Sequence, residues 1–292
     1  MIKRKAYAKI NLSLDVLRRR EDGYHEVRMI MQTVDIFDEL SFELNPNSND
    51  IILKFENLAP NIDLGPVEKN LIYRAAKLVL QANHREDIGV IISLKKNIPV
   101  AAGMAGGSTD AAAVFHGLNE LLALGMKLDD MCSLGVKIGA DVPYCIMGGT
   151  ALSEGIGEIL TPIKESPKCI LVVAKPDINV STKFVYENLH ANELKYHPDV
   201  NGMLEAISNQ DLTKMASNLG NVLETVTTKV YPIIDEIKGV MKSEGALNAL
   251  MSGSGPTVFG IFEPENKKMA QAAANKIEEL GLAKQVFVTT FV

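Results

Sequence analysis

The chain has 292 residues, 47% of them hydrophobic and 23% charged, a globular balance with ample surface to bury in one large domain or two ordinary ones. No single-residue, Pro/Gly-dominated or coiled-coil tract is present, which argues against disorder, collagen and coiled coil. Thirty basic against thirty-six acidic residues leave a formal charge of −6; with no basic stripe, the footprint of a nucleic-acid binder is missing and an anionic ligand needs a local site.

No apolar run approaches the roughly 18 residues of a spanning helix. Met1-Ile2-Lys3-Arg4-Lys5 leads into a segment broken by Lys9, Asn11 and Asp15 rather than into a signal sequence, so the expected location is the cytoplasm and no membrane partner is expected. Cys132, Cys145 and Cys169 are odd in number and lack a CxxC, and the five histidines form no HxH or HxxxH pair. Neither a disulfide framework nor a zinc site is indicated, and no metal-ligating set is assigned.

From Ala6 to Val16 apolar residues alternate with Tyr7, Lys9, Asn11, Ser13 and Asp15, the period of a half-buried strand. A polar turn follows at 18–23, then strand-like stretches at Val27 to Ile36, Leu40 to Leu44 and Ile51 to Phe55. Glu68 to Gln81 has helical spacing, Ile88 to Leu94 is a β-branched run, and a glycine-rich loop occupies Pro99 to Gly107. Ser108 is read as the N-cap of a helix running to about Leu124. Leu128 to Ile138 predicts another helix, with short strands at Tyr144 to Met147 and Thr150 to Ser153. Beyond Pro167 the order is a strand (Cys169 to Ala174), mainly helical pattern from Ser181 to Ser243 and a strand (Ala246 to Met251). It closes with a Gly/Ser loop, a strand (Val258 to Phe262), a helix (Pro264 to Leu280) and a strand (Gln285 to Phe291). The mixture predicts an α+β fold, with a domain boundary near Lys164 separating residues 1–163 from 164–292.

The strongest chemical signal is Pro99-Val100-Ala101-Ala102-Gly103-Met104-Ala105-Gly106-Gly107-Ser108-Thr109. Small residues let backbone approach a ligand, and the N-terminus of the following helix suits phosphate. It is neither a Walker A loop nor a dinucleotide fingerprint, because no Lys-Ser/Thr follows the glycines and Ala105 breaks the spacing. A plain glycine-rich connector is the competing reading. Each remaining candidate has two readings as well. Lys9 is an exposed strand lysine or a cation reaching a site, and Asp141 before Pro143 is a turn residue or an acid/base group. Tyr24-His25 is a hairpin exit or an aromatic contact; Ser252-Gly253-Ser254-Gly255 is a hairpin loop or a second phosphate- or substrate-shaping nest.

Taken together, several segments in order resemble the GHMP kinases along nearly the whole chain. They are Ala8-Lys9-Ile10-Asn11-Leu12, Asp22-Gly23-Tyr24-His25, Asn70-Leu71-Ile72, Pro99 to Ala112, Gly139-Ala140-Asp141-Val142-Pro143, Gly155-Ile156-Gly157-Glu158 and Ser252-Gly253-Ser254-Gly255. Lys-Ile-Asn, Gly-Tyr-His and Gly-Ala-Asp-Val-Pro resemble the branch acting on a cytidine diphosphate-linked methylerythritol in the non-mevalonate isoprenoid pathway. Ala105 departs from the glycine commoner in this loop, which matters if that residue needs positive φ.

The resemblance implies a two-domain α+β kinase fold: an N-terminal domain like the second domain of ribosomal protein S5 and a ferredoxin-like C-terminal domain. It implies ATP with Mg²⁺ and transfer to the 2-hydroxyl of the methylerythritol moiety. Asp141 would be the base, and Lys9 would stabilise the γ-phosphoryl group and balance the charge of Asp141. Asn11 would hold the substrate; Tyr24, His25 and Tyr186, with Phe184 as the rival, would hold cytosine, and Ser252 and Gly253 would also contact substrate. Asn70, Lys96 (or its neighbour Lys95) and Pro99 would meet the adenine end, and residues 101–109 the phosphates. Two other readings are a homoserine or mevalonate-type kinase, and a non-catalytic nucleotide sensor on the same fold.

Overall fold

A computed structural model of the chain describes residues 1–56 and 66–292. Helices and sheets are mixed along the chain as an α+β arrangement, and two compact units are formed. Residues 1–8, 36–100 and 105–148 make the first, and residues 9–35, 101–104 and 149–292 the second. Two long strands, β1 (Ile2–Arg19) and β2 (His25–Asn45), contribute one end to each. The second spans what the sequence pattern divides into two strands.

In the first unit β2 pairs antiparallel with β4 (Gly89–Lys95), from Glu39 opposite Lys95 to Asn45 opposite Gly89. Next to β4 lies β3 (Ile51–Glu56), in parallel. Helix α1 (Leu71–Ala82) starts where the Asn70 side chain accepts the Ile72 N–H, and it buries Ile72, Ala75, Ala76, Val79 and Leu80, the i, i+3, i+4 stripe of an amphipathic helix. Helix α2 (Gly106–Leu121) has Ala111 to Phe115 buried around its turns, and α3 (Leu128–Gly135) and α4 (Val142–Met147) follow. Phe42, Ile92, Val79, Phe115 and Val142 meet in one core.

Two further elements differ from the sequence reading. Tyr144 to Met147 is the body of helix α4, not a strand: a short apolar run has no decisive period, and Pro143 in the first turn presets helical φ. Helix α2 begins at Gly106 with Ala105 at the N-cap, which places Ser108 inside the first turn, and it ends at Leu121, where Ala123 (φ 49°) and Gly125 (φ 69°) turn the chain left-handed.

In the second unit β2 pairs antiparallel with β5 (Thr150–Gly155), and β5 with β6 (Ile159–Pro162). The other sheet contains β7 (Ile170–Lys175), β9 (Asn248–Met251), β10 (Val258–Phe262) and β11 (Gln285–Thr289). Between β7 and β9 lie α5 (Thr182–Glu187), α6 (Val200–Ser208), α7 (Leu212–Ser217), α8 (Glu224–Val230) and α9 (Ile233–Ser243). Helix α10 (Lys267–Glu279) joins β10 to β11. The order β11-β7-β10-β9, antiparallel throughout, is fourth-first-third-second, the ferredoxin-like arrangement. The two-residue strand β8 (Gly220–Asn221) lies parallel to β1, Ser13 opposite Gly220 and Leu14 opposite Asn221.

No helix among the described residues is long and apolar enough to cross a membrane. No disulfide joins the three cysteines, and burial pushes the Cys169 thiol up, which keeps it protonated.

Candidate active site

Strand β1 is buried on both faces through its middle, so its polar face enters the interior with the apolar one. Lys9 is 5% exposed and Asn11 fully buried, which removes the exposed strand-lysine reading. The Lys9 ammonium donates to Asn11 Oδ1 at 2.8 Å, and Asn11 Nδ2 faces the Met29 sulfur at 3.2 Å. These two contacts fix which way the amide points. A buried ammonium is costly unless it is paired and hydrogen-bonded, so the bond to Asn11 helps to hold this lysine in place.

The glycine-rich loop is anchored beside that lysine. The Lys9 N–H donates to the Met104 carbonyl at 3.2 Å, and the Ala102 and Met104 side chains are buried. Ala101, Gly103 and Ala105 all have positive φ, at 51°, 72° and 56°. Gly103 could be nothing else, because a Cβ there would lie 2.3 Å from the Ser252 carbonyl oxygen. Ser252 Oγ donates to the Gly103 carbonyl at 2.9 Å, so the Ser-Gly-Ser-Gly segment braces this loop and is more than a hairpin connection.

Ala105 opens α2 without a side-chain cap, and the first N–H groups of the helix, on Gly106, Gly107 and Ser108, have no partner within it. Such donors and the positive end of the helix favour an anion. Thr109 is turned elsewhere, its hydroxyl donating to the Tyr7 carbonyl at 2.6 Å.

Lys95 and Lys96 separate clearly. Lys95 is exposed and paired with Glu39, whereas Lys96, its side chain 10% exposed, lies between Asp38 and Asp110. Its ammonium lies 2.9 Å from Asp110 Oδ2 and hydrogen-bonds Asp38, whose other oxygen accepts the N–H groups of Asn97 and Ile98. Burial pulls the Lys96 ammonium down, but the two carboxylates outweigh it and hold it raised. Burial pushes the Asp110 carboxyl well above the usual range; Lys96 opposes this and Asp38 adds to it. A Cβ on Gly106 would sit 3.1 Å from Lys96 Nζ, so the cluster abuts the first residue of α2. Asp38 and Asp110 went unrecognised in the sequence, where Asp38 falls between two predicted strands and Asp110 in the predicted helix after the glycine-rich loop. Asn70 spends its side-chain oxygen on capping α1, and Pro99 is buried.

Asp141 occupies the N-cap position of α4, half-buried, but its side chain does not cap the helix. At the hairpin after β1, Tyr24 is 60% exposed, its N–H held by Asp22 Oδ1. His25 and Tyr186 are brought together with ring centroids 5.1 Å apart, while Phe184 points to solvent. Burial, then the charge of Arg19, lowers the His25 pKa below its ordinary 6.5. No three His, Cys, Asp or Glu side chains among the described residues cluster into a metal cage.

The chain matches two family descriptions: GHMP kinases N terminal domain over residues 70–149 and GHMP kinases C terminal over residues 203–281. It is 52% identical over 293 residues, covering 100% of this chain and 97% of the relative, to a protein of Lachnoclostridium phytofermentans named 4-diphosphocytidyl-2-C-methyl-D-erythritol kinase. A crystal structure described as 4-(cytidine 5'-diphospho)-2C-methyl-D-erythritol kinase is 33% identical, covering 99% of each chain, with a TM-score of 0.80. The mevalonate kinase of L. major, solved with R-mevalonate, is 19% identical with a TM-score of 0.79, covering 100% of this chain and 96% of that one, a likeness that shows the fold alone.

Proposed function

Because this chain belongs to the GHMP kinases, we propose that it transfers the γ-phosphoryl group of ATP to the 2-hydroxyl of 4-diphosphocytidyl-2-C-methyl-D-erythritol, in the non-mevalonate isoprenoid pathway. Its closely similar relative carries that substrate in its name. The observation that carries the chemistry is the buried Lys9, whose N–H holds Met104 of the glycine-rich loop and whose ammonium is oriented through Asn11. A cation fixed in this way costs no reorganisation when charge develops on the transferred group.

In the proposed reaction the 2-hydroxyl oxygen bonds to the γ-phosphorus as the bond to the β,γ-bridging oxygen breaks, and ADP departs. The hydroxyl proton passes to the Asp141 carboxylate. Lys9 stabilises the equatorial oxygens, and Asn11 orients the alcohol. The loop from Ala101 to Ala105 and the helix start at Gly106, Gly107 and Ser108 receive the phosphates. Asn70, Lys96 and Pro99 frame the adenine end, Lys96 by holding its segment through Asp38 rather than by a free ammonium. Tyr24, His25 and Tyr186 receive cytosine, and Ser252 and Gly253 shape the substrate side. The nucleotide's own phosphates, rather than a dedicated carboxylate set, would hold Mg²⁺, which would offset their charge. The cytoplasm, which supplies ATP, is the proposed location.

Asp141→Asn tests the assignment of the base. The variant is expected to keep its fold and ATP affinity while kcat falls about 10²–10⁴-fold, because an amide cannot take the hydroxyl proton. Near wild-type turnover would return Asp141 to the rank of a turn residue.

A further inference from the structure

We propose that Asn221 is a positioning residue for the reaction: it sets the Ser252-Gly253-Ser254 loop, and through it Gly103 of the glycine-rich loop and Asn11 of β1. This rests on the reading above of what those two residues do.

Asn221 sits on β8, opposite Leu14 of β1, and is almost fully buried. Its Nδ2 donates to two carbonyls at once, Met251 at 2.8 Å and Gly253 at 2.7 Å, and its Oδ1 accepts the Leu223 N–H at 2.9 Å. The amide therefore has one usable orientation, since a flipped one would set its oxygen against two carbonyl oxygens.

Three residues later Glu224 completes the hold. Its Oε1 accepts the Met251 N–H at 2.9 Å, and Lys238 donates to Oε2 at 2.8 Å. The Ser252 carbonyl accepts from Gly255 N–H at 2.9 Å and the Ser254 carbonyl from Thr227 Oγ1 at 3.3 Å. All four successive carbonyls from Met251 to Ser254 are thereby fixed, two of them by Asn221 alone.

What the loop touches gives this rigidity its use. Ser252 Oγ donates to the Gly103 carbonyl, and a Cβ on Gly253 would lie 3.1 Å from that oxygen and 3.6 Å from Asn11 Oδ1. Loss of the Asn221 amide would release two carbonyls of a loop packed against both, and a displacement of about 1 Å at a reacting group can cost about 10²-fold. Asn221 touches neither Gly103 nor Asn11 itself and acts through the loop.

The test compares Asn221→Ala, Ser252→Ala and the double variant, well below each melting temperature, by calorimetric titration with ATP and Mg²⁺ and by kcat. Asn221→Ala is expected to weaken ATP about 5-fold or more and to lower kcat about 10- to 100-fold. The double variant should fall little further, because both changes break one chain of contacts. Met241→Ala, a buried substitution of α9 with a comparable loss of melting temperature, should keep wild-type ATP affinity and kcat. The inference is overturned if Asn221→Ala binds ATP as the wild type does, or if its loss and that of Ser252→Ala multiply independently. If Asn221→Ala does not fold, Ser252→Ala alone decides: unchanged ATP affinity overturns the brace. ATP titration does not depend on which alcohol is phosphorylated, so failure of the substrate assignment would show separately, as absent wild-type turnover.

Discussion

Lys9 and Asn11 are joined by a 2.8 Å hydrogen bond, ammonium to amide oxygen, on a strand face that carries both into the interior. The pair turns a strand pleat into a fixed positive charge next to the glycine-rich loop. Lys9→Met keeps most of the side-chain volume and removes the charge. It should lower kcat about 10²–10³-fold, the scale of losing one preorganised electrostatic group, with a smaller change in KM for either substrate. Steady-state kinetics with each substrate varied in turn reads this directly; a loss confined to KM would make Lys9 a ground-state binding group.

Ala105 holds φ at 56° at the N-cap of α2. A left-handed L-residue costs about 1–2 kcal/mol, and glycine loses about 0.5–1 kcal/mol of this advantage through chain entropy. Ala105→Gly should therefore stabilise the protein by up to about 1.5 kcal/mol, and Ala105→Val should destabilise it. Urea unfolding of the two variants should move in opposite directions; parallel shifts would show that the backbone at this residue relaxes.

The Asp38, Lys96 and Asp110 cluster predicts two unequal substitutions. Asp38→Ala strips one of two carboxylate partners from Lys96 and the acceptor from two N–H groups, and should cost about 3–5 kcal/mol. Asp110→Asn should be far milder. The Asp110 carboxyl is raised above its ordinary 3.8 by burial, against the pull of Lys96, so the folded state holds its proton more tightly than the unfolded chain. Its contribution to stability is complete below pH 3.8 and declines as pH rises through the folded-state value. Asp110→Asn removes that decline, so its stability relative to wild type should improve as pH rises from about 4. A constant difference across pH would mean that folding leaves the Asp110 carboxyl titrating as it does in the unfolded chain.

His25 is lowered by burial first and by Arg19 second, so at neutral pH the imidazole is uncharged. As pH falls through the window below 6.5 it takes a proton that the folded state resists, and stability is lost there rather than gained. KM for the cytidyl substrate should rise over the same window while KM for ATP changes little. His25→Ala should flatten that profile and relax discrimination against uracil. A profile that survives in His25→Ala assigns the titration elsewhere.

The fold was legible where periodicity was decisive. The alternation from Ala6 to Val16 marks β1, and the runs around β7, β10 and α10 mark the four-stranded sheet. It failed at Tyr144 to Met147, where four apolar residues suit strand or helix equally, and at Ser108, where a good capping residue lies inside the turn that Ala105 opens. The site was legible as motifs, not as contacts. Alternation marks the face of Lys9 but not that both faces of β1 are covered. Asp38 and Asn221 carry no pattern of their own, because their roles depend on Lys96 and on the carbonyls of Met251 and Gly253, distant in sequence.

Release of ADP by the wild-type protein, followed in parallel with 4-diphosphocytidyl-2-C-methyl-D-erythritol, mevalonate and homoserine, reads substrate choice and catalysis together. Turnover should be confined to the cytidyl alcohol, with kcat/KM at least about 10⁴-fold above the other two, the discrimination available to a site built around hydrogen-bonding groups. Comparable turnover of mevalonate or homoserine, or ATP binding without turnover of any alcohol, would contradict it.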